Sequence, residues 1–201
     1  MKELPWARIE VEGSKGFVRV MQRWGYQWSS ALGAPAWRQA EKEAFHNAIV
    51  KLVVSRIVKK KLSVTSTHQC LLHPKMDLVF DIGWALEKYK HWTVHARKIP
   101  ASSTPTTLIS QVDWAKRLIL LDSADVNDYN VCNAANACRN FNAVPHEFVH
   151  TFQGPDEYNP GVAHLSDTDS ILNIGNQLRE RHIKVLLKEL NTMIPGWTFT
   201  Y

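Results

Sequence analysis

Two histidines four residues apart, His146 and His150, constrain the fold of this chain more than any other pair of residues. On a helix, residues with this spacing lie on the same face, with their Cβ atoms roughly 5–6 Å apart. The residues around the pair are apolar, namely Val144, Phe148, Val149 and Phe152. A helix that is apolar on most sides has to be buried. We therefore predict a buried helix over about residues 143–152 with both imidazoles on one face.

Pro145 and Gly154 indicate where this helix begins and ends. Proline inside a helix costs about 3 kcal/mol unless it lies in the first turn. We therefore expect the helix to begin near Asn142, whose side chain can cap the first turn. Gly154 and the proline after it end the helix, because glycine readily leaves the helical conformation and proline cannot continue it.

The spacing of the two histidines also suits a metal ion. Two imidazoles on one helix face can bind one zinc ion at about 2.0–2.1 Å each. Glu147 follows the first histidine, where its carboxylate can take a proton from metal-bound water. The pattern His-Glu-x-x-His is typical of zinc-dependent hydrolases for this reason. We predict one catalytic Zn²⁺, with His146 and His150 as ligands and Glu147 as the catalytic base.

A catalytic zinc ion usually has a third protein ligand and one open position. Asp156 and Glu157 follow the second histidine, and Gly154 permits a tight reversal that would return them to the metal. Glu157 has the longer side chain, so we expect it to be the third ligand, with Asp156 as the alternative. His164, Glu180 and Glu189, which lie further along the chain, are minor alternatives for the third ligand.

The region around the motif resembles the metzincin-like zinc peptidases, whose pattern is H-E-F-G-H-x-x-G-x-x-D-E-Y. Residues 146–158 are similar to it and read His-Glu-Phe-Val-His-Thr-Phe-Gln-Gly-Pro-Asp-Glu-Tyr. Residues 166–175 resemble the segment that forms the Met-turn beneath the zinc ion, with Leu172 at the position of the methionine. This replacement conserves volume and keeps an apolar floor. Residues 177–182 resemble the start of the family's last helix.

Two positions depart from the family pattern. Val149 stands where the family has a glycine, and Gly154 lies one position later than the family's second glycine. This shift changes the turn that would bring the third ligand back to the metal. The identity of that ligand therefore depends on the geometry of the turn.

Residues 144–195 together look like the metallopeptidase domains at the C-termini of type VI secretion spike proteins and related effectors. The resemblance implies an α+β fold of the zincin type and the hydrolysis of peptide bonds. It also implies an antibacterial toxin, delivered by a dedicated secretion machine into the periplasm of a target cell. A secretion spike and a cognate immunity protein would then be its partners.

The attack of water on a peptide carbonyl creates an oxyanion, which a donor beside the metal would stabilise. We expect His182, on the last helix, in this role, with two alternatives, Arg179 and Tyr158. The arginines at 179 and 181 have another interpretation, which is ion pairing with the loop that precedes them, at Asp167 or Asp169.

The length of 201 residues suits a single domain. Residues 1–35 are irregular to extended, and residues 36–60 have apolar side chains at the spacing of a long helix. The remaining elements that we predict are a short helix over 76–91, strands over 92–99 and 117–121, and a last helix over 177–192. We therefore expect a small sheet backed by the long helix, with the zinc-site region over residues 143–195.

The sequence does not indicate a membrane span, a signal peptide or a nucleic-acid partner. No apolar run approaches the ~20 residues of a membrane span, and the N-terminal residues lack the apolar core of a signal peptide. The net charge is +5, but the basic run from Arg56 to Lys61 has no interleaved aromatic residues. We interpret this run as a solvated helix end, and we predict no nucleic-acid partner.

Cys132 and Cys138 flank a short loop, and both a disulfide and two unpaired cysteines are compatible with this spacing.

Two other functions fit the same residues. A non-catalytic binding domain with a closed zinc site would use a fourth protein ligand, such as His164 together with Glu157, and would leave Glu147 without a role. A cell-wall amidase or endopeptidase would apply the same chemistry to peptidoglycan. No feature of the sequence separates peptide, protein and peptidoglycan substrates.

Overall fold

The computed structural model describes residues 1–57, 60–67, 71–101, 103 and 110–201. These residues form a mixed α+β structure. Its helices are α1 (Gln39–Arg56), α2 (Ala143–His150) and α3 (Lys184–Met193). Its strands are β1 (Lys2–Glu3), β2 (Arg8–Glu12), β3 (Phe17–Ser30), β4 (Lys60–Ser66), β5 (Lys75–Trp84), β6 (Trp92–Lys98), β7 (Gln111–Asp113), β8 (Leu118–Asp122), β9 (Tyr129–Cys132), β10 (Cys138–Phe141) and β11 (Trp197–Thr200). No helix in this part of the chain is long and apolar enough to cross a membrane.

The main sheet has nine strands within the described residues, so the expectation of a small sheet is wrong. Its order is β11-β4-β5-β3-β6-β8-β7, and β2 and β1 extend it beside the first part of β3. β3 is parallel to β5 and β6, and β6 is parallel to β8. β7 is antiparallel to β8 and forms one edge of the sheet, where it contacts α2. β9 and β10 form a separate antiparallel hairpin.

β3 is the long central strand, in a region that we expected to be irregular to extended, with strand-like pieces that include Phe17, Val18 and Val20. Val18, Val20 and Trp24 are fully buried, and they alternate with half-buried residues along the strand. A period of two places these side chains on one face of the sheet, which packs on the core. The alternation continues past the glycine at position 25, so the strand is longer than the sequence indicates.

The short helix that we expected over residues 76–91 is wrong, because this segment is β5 followed by a 3-10 turn at Glu87–Tyr89. The buried residues of β5 alternate strictly along the chain: Met76, Leu78, Phe80 and Ile82. The strand gains hydrogen bonds from neighbours on both sides, β3 and β4. Pairing with two strands outweighs any local helical preference.

α1 confirms the long helix predicted over residues 36–60, although it is shorter at both ends. Its buried residues are Phe45, His46, Ile49 and Val53, and they pack against β5 and α2. Arg56 is its last residue, and Lys60 already belongs to β4. Lys59, in the middle of the basic run, lies outside the described residues.

The strands predicted over residues 92–99 and 117–121 are confirmed as β6 and β8. The last helix, predicted over 177–192, is a 3-10 turn over Glu180–Ile183 followed directly by α3. α3 buries Leu186, Leu187 and Leu190. β11 was not predicted, and it returns the end of the chain to the sheet beside β4.

Candidate metal centre

α2 carries the two histidines and begins as the sequence predicts. The side-chain oxygen of its N-cap, Asn142, accepts a hydrogen bond from the Val144 N–H at 3.1 Å. Pro145 lies in the first turn, where a missing N–H leaves no intrahelical bond unmade. All residues of α2 except His150 are buried. The helix is therefore held rigidly in the core, with one end open towards the surface.

His146, His150 and Asp156 bring three possible metal-binding atoms together. The Nε2 atoms of the two histidines are 3.0 Å apart. The Oδ1 atom of Asp156 lies 3.1 Å from Nε2 of His146 and 2.9 Å from Nε2 of His150. All three atoms lie within 4.8 Å of one another. Two imidazole nitrogens and one carboxylate oxygen suit Zn²⁺ and leave one position of a tetrahedron open.

The other nitrogen of each ring donates to a backbone carbonyl. His146 Nδ1 lies 2.7 Å from the Ile171 oxygen, and His150 Nδ1 lies 2.7 Å from the Gly154 oxygen. A carbonyl only accepts hydrogen bonds, so each Nδ1 carries a proton and each Nε2 of a neutral ring presents its lone pair to the cluster. Burial lowers the pKa of His146, which favours the neutral ring that a metal requires. For His150 burial acts in the same direction, but the hydrogen bond with Asp156 and the charge of Glu147 outweigh it and raise its pKa.

Asp156, and not Glu157, lies beside the two histidines, so the order in which we ranked these carboxylates is corrected. Arg181 binds both carboxylate oxygens of Glu157, at 2.6 and 2.8 Å. Ser170 donates to the same carboxylate at 2.5 Å. Burial opposes ionisation of Glu157, but the hydrogen bonds from Arg181, His182 and Ser170 hold its pKa well below the usual range. The carboxylate of Glu157 is therefore held by these groups and not by the two histidines.

A glycine is needed at the turn between the motif and Asp156. A Cβ atom at Gly154 would lie closer than 3.0 Å to Cδ1 of Leu172, which is fully buried. Leu172 thus packs directly against this turn. The Glu157 N–H also donates to the Leu172 carbonyl at 2.8 Å. This hydrogen bond joins the segment that contains Asp156 and Glu157 to the segment around Leu172.

The minor alternatives for the third ligand lie elsewhere. His164 and Glu180 are exposed, and Glu189 forms an ion pair with Lys2 at 2.6 Å. None of the three belongs to the metal-binding cluster found in the described part of the chain.

His182, which we expected to stabilise the oxyanion, has both ring nitrogens engaged by the protein. Nε2 lies 3.2 Å from Oε1 of Glu157 and 3.2 Å from Oγ of Ser170, and Nδ1 accepts from the Arg179 N–H at 3.1 Å. The ring is 1% exposed and does not line the cleft beside the histidines. His182 thus contacts Glu157 in this structure, and its assignment as a catalytic residue stays a prediction.

The prediction that Arg179 and Arg181 form ion pairs with the preceding loop is confirmed, and the partner is Asp167. Arg179 Nη2 lies 2.7 Å from Oδ1 of Asp167, and Arg181 Nη2 lies 2.6 Å from Oδ2 of the same residue. Arg181 therefore bridges Asp167 and Glu157. This network fastens the loop after the motif to the start of the last helix.

Glu147 lies in the wall of a cleft of about 460 Å³ that also contains His150 and Asp156. No hydrogen bond to its carboxylate is made by any of the described residues, and the side chain is 5% exposed. Burial raises the pKa of Glu147 to about 8, the charges of Asp156 and Asp125 raise it too, and His150 acts in the opposite direction. A carboxyl with a raised pKa is a better proton acceptor when ionised, as a general base requires.

Tyr158 also lines this cleft. Its ring centroid is 5.7 Å from that of His146. Burial raises the pKa of Tyr158, and the neighbouring charge of Asp156 raises it further, so the phenol keeps its proton. Tyr158, one of the two alternatives to His182, therefore lines the cleft as a neutral phenol whose hydroxyl is hydrogen-bonded to Asp156.

A disulfide joins Cys132 and Cys138 and closes the hairpin of β9 and β10. The Ala134 N–H in this hairpin donates to the Tyr158 carbonyl at 3.0 Å. The side-chain amide of Asn133 donates to two groups of the long loop, the Leu165 carbonyl at 3.1 Å and the side-chain oxygen of Asn173 at 3.2 Å. The hairpin therefore holds the segment that carries Asp156 and Tyr158.

Sequence reasoning missed the wall of the cleft that β7 provides. Gln111 and Val112 line the cleft, but a strand of three residues has too few positions to show an alternating pattern. A comparison of the chain with known protein families, curated proteins and solved structures found no match. The geometry of the site therefore carries the functional conclusion.

Proposed function

We propose that the protein is a zinc-dependent metallopeptidase of the zincin type. Its metal ligands are His146, His150 and Asp156, and its general base is Glu147. The observation that carries the proposal is the convergence of the three ligand atoms within 4.8 Å at the wall of the cleft that also contains Glu147.

Bound there, Zn²⁺ supplies an activated water and a Lewis acid for the carbonyl oxygen. Glu147 takes a proton from the attacking water and returns it to the nitrogen of the leaving amine as the C–N bond breaks. The Tyr158 hydroxyl donates a hydrogen bond to the carbonyl oxygen as negative charge develops on it. The Ile171 and Gly154 carbonyls hold the two imidazoles in orientation through their Nδ1 protons.

The edge strand β7 favours an extended peptide as the substrate. Among the described residues β8 is the only strand that pairs with β7, and β7 contributes Gln111 and Val112 to the cleft. An extended peptide can pair with such an edge, with main-chain hydrogen bonds for affinity and side-chain contacts for selectivity. Its scissile bond would then pass between Glu147 and Tyr158.

A closed, non-catalytic zinc site has less support. His164 is exposed, and the carboxylate of Glu157 is bound by Arg181 and His182. Neither of them joins the cluster of His146, His150 and Asp156. The position that a substrate or water needs is therefore not taken by either residue.

We further propose that the enzyme acts as an antibacterial effector in the periplasm of a target cell, as the resemblance implies. The exposed disulfide between Cys132 and Cys138 supports an oxidising compartment. A secretion spike and an immunity protein are the corresponding partners. Digestion of purified sacculi beside an unfolded protein separates a peptidoglycan substrate from a protein substrate.

The test of the metallopeptidase combines metal content with hydrolysis. We expect Glu147→Gln to keep full zinc occupancy and to lose about 10²–10⁴-fold in kcat, the usual contribution of a general base. His150→Ala and Asp156→Ala should both lose zinc. Glu180→Gln is the matched control, since this residue is exposed and outside the cleft, and it should retain zinc and activity.

Two results would overturn the proposal. One is hydrolysis by Glu147→Gln at the rate of the unmodified protein. The other is full zinc occupancy in both His150→Ala and Asp156→Ala, which would place the metal elsewhere.

A further inference from the structure

The loop that follows β8 holds two buried carboxylates, Asp122 and Asp125, which are 3% and 0% exposed. Backbone N–H groups donate to both carboxylates, and the Ser110 hydroxyl also forms a hydrogen bond with Asp125. Oδ1 of Asp122 accepts from the Ala124 N–H at 2.7 Å, and Oδ2 of Asp125 accepts from the Asp122 N–H at 2.6 Å. The second oxygen of each carboxylate is buried and has no hydrogen-bond partner in the described part of the chain.

Such an arrangement is costly without a compensating ligand. A buried polar atom normally has a partner, and a buried charge is normally paired or bound to a metal. Asp128, in the same loop, illustrates the difference, because its oxygens accept from three donors: Arg56, Asn140 and Asn142. Asp122 and Asp125 lack such donors for their second oxygens.

The positive charge nearest to the pair does not meet this need. Arg97 lines a cavity of about 240 Å³ together with Asp122, and its charge acts to lower the pKa of that residue. It nevertheless forms no ion pair with Asp122 within the described contacts. Burial raises the pKa of Asp125 to about 7, and the charge of Asp122 raises it further, so the two carboxylates repel each other.

We propose that Asp122 and Asp125 bind a hard divalent cation, with Ca²⁺ as the best match, at a site separate from the zinc ligands. A divalent cation neutralises both carboxylates and occupies both free oxygens, whereas one proton neutralises only one of them. Ca²⁺ takes 6–8 oxygen ligands at about 2.3–2.6 Å in flexible geometry, and water supplies part of this shell. The Ser110 hydroxyl forms a hydrogen bond with Asp125 and lines the cavity that Asp122 also lines, so it offers a third oxygen.

This site would stabilise the connection between β8 and the disulfide-closed hairpin. The proposal does not depend on peptidase activity, because none of its residues is a zinc ligand. The experiment uses a His146→Ala/His150→Ala background, so that added cations cannot act through the zinc site. Failure of one proposal therefore leaves the other intact.

Thermal unfolding of the chelator-treated protein, with and without Ca²⁺, is the main test. With Ca²⁺ at about 100-fold above its Kd, binding to the folded state alone should raise the Tm by about 5–10 °C. Asp122→Asn and Asp125→Asn should abolish the rise. Asp128→Asn is the matched control and should keep it, because its oxygens already have protein donors.

Equilibrium dialysis gives a second measurement that does not depend on the stability of the variants. We expect one bound Ca²⁺ per chain in the background protein. Absence of both binding and a Tm shift with Ca²⁺ and with Mg²⁺ would overturn the proposal. A Ca²⁺-dependent Tm shift that persists in Asp125→Asn would also overturn it. A third contrary result is a protein whose Tm responds to neither cation and is higher in the Asp125→Asn variant. That result would indicate that the two carboxylates share a proton.

Discussion

The packing of Gly154 against Leu172 gives a sharp test of how the metal site is built. Replacing Gly154 by alanine adds one Cβ atom, which would lie closer than 3.0 Å to Cδ1 of Leu172. Leu172 is fully buried and cannot move its side chain into open space. The turn must therefore shift, together with the Gly154 carbonyl that accepts from His150 at 2.7 Å.

The magnitude follows from this crowding. Overpacking a well-packed core costs about 1–3 kcal/mol, which corresponds to a drop in Tm of roughly 3–10 °C for a chain of this size. Loss of the carbonyl that orients His150 should weaken zinc binding by about 10–100-fold. Leu172→Ala alone should cost about 2–5 kcal/mol, because it leaves a cavity. The double variant should cost less than the sum, since the small residue makes room for the new methyl group.

The assay is urea unfolding of the single and double variants, with zinc affinity measured by competition with a chelator. Gly83→Ala is the matched control, because a Cβ at that position meets nothing within 4 Å, and it should be neutral or slightly stabilising. If Gly154→Ala matches the unmodified protein in stability and zinc affinity, the turn is not held as described. If the loss of unfolding free energy in the double variant equals the sum of the losses in the two single variants, the proposed contact between Gly154 and Leu172 is wrong.

Two further predictions concern the supports of the site. Glu157 has a depressed pKa in the folded protein, relative to an ordinary value of 4.5. The stabilisation by ionised Glu157 should therefore be fully present above pH 4.5 and should be lost as the pH falls below this value. The difference in stability between the unmodified protein and Glu157→Gln should shrink on acidification. Unfolding experiments at several pH values measure this difference. Reduction of the disulfide, which spans a sequence separation of 6, should lower the stability by about 2 kcal/mol and weaken zinc binding. The Cys132→Ser/Cys138→Ser variant should show the same losses and no response to reductant, and a response in that variant would assign the effect to another group.

Short-range patterns determined the helix that carries the motif. The spacing of His146 and His150, the N-cap Asn142 and the position of Pro145 all act within one or two turns. Each of these features therefore predicts the same boundaries in any tertiary context. The apolar neighbours of the motif likewise predict burial, and the structure confirms it.

The sheet was less predictable, because a strand is stabilised by partners that are distant in sequence. β5 was expected to be a helix, and β11 was not expected at all. Both depend on pairing with β4, and β11 reaches it from the opposite end of the chain. Apolar residues alternate along β5 with Val79 as an exception, and the hydrogen bonds to β3 and β4 stabilise the strand.

The third ligand shows the same division most clearly. The sequence by itself determined that a carboxylate follows the motif and that Asp156 and Glu157 are the two choices. Side-chain length favoured Glu157. The tertiary structure places Asp156 beside the two histidines, whereas Arg181, from a distant part of the chain, binds both oxygens of Glu157. A buried ion pair between residues far apart in sequence leaves no local pattern, and only the folded chain reveals which carboxylate lies beside His146 and His150.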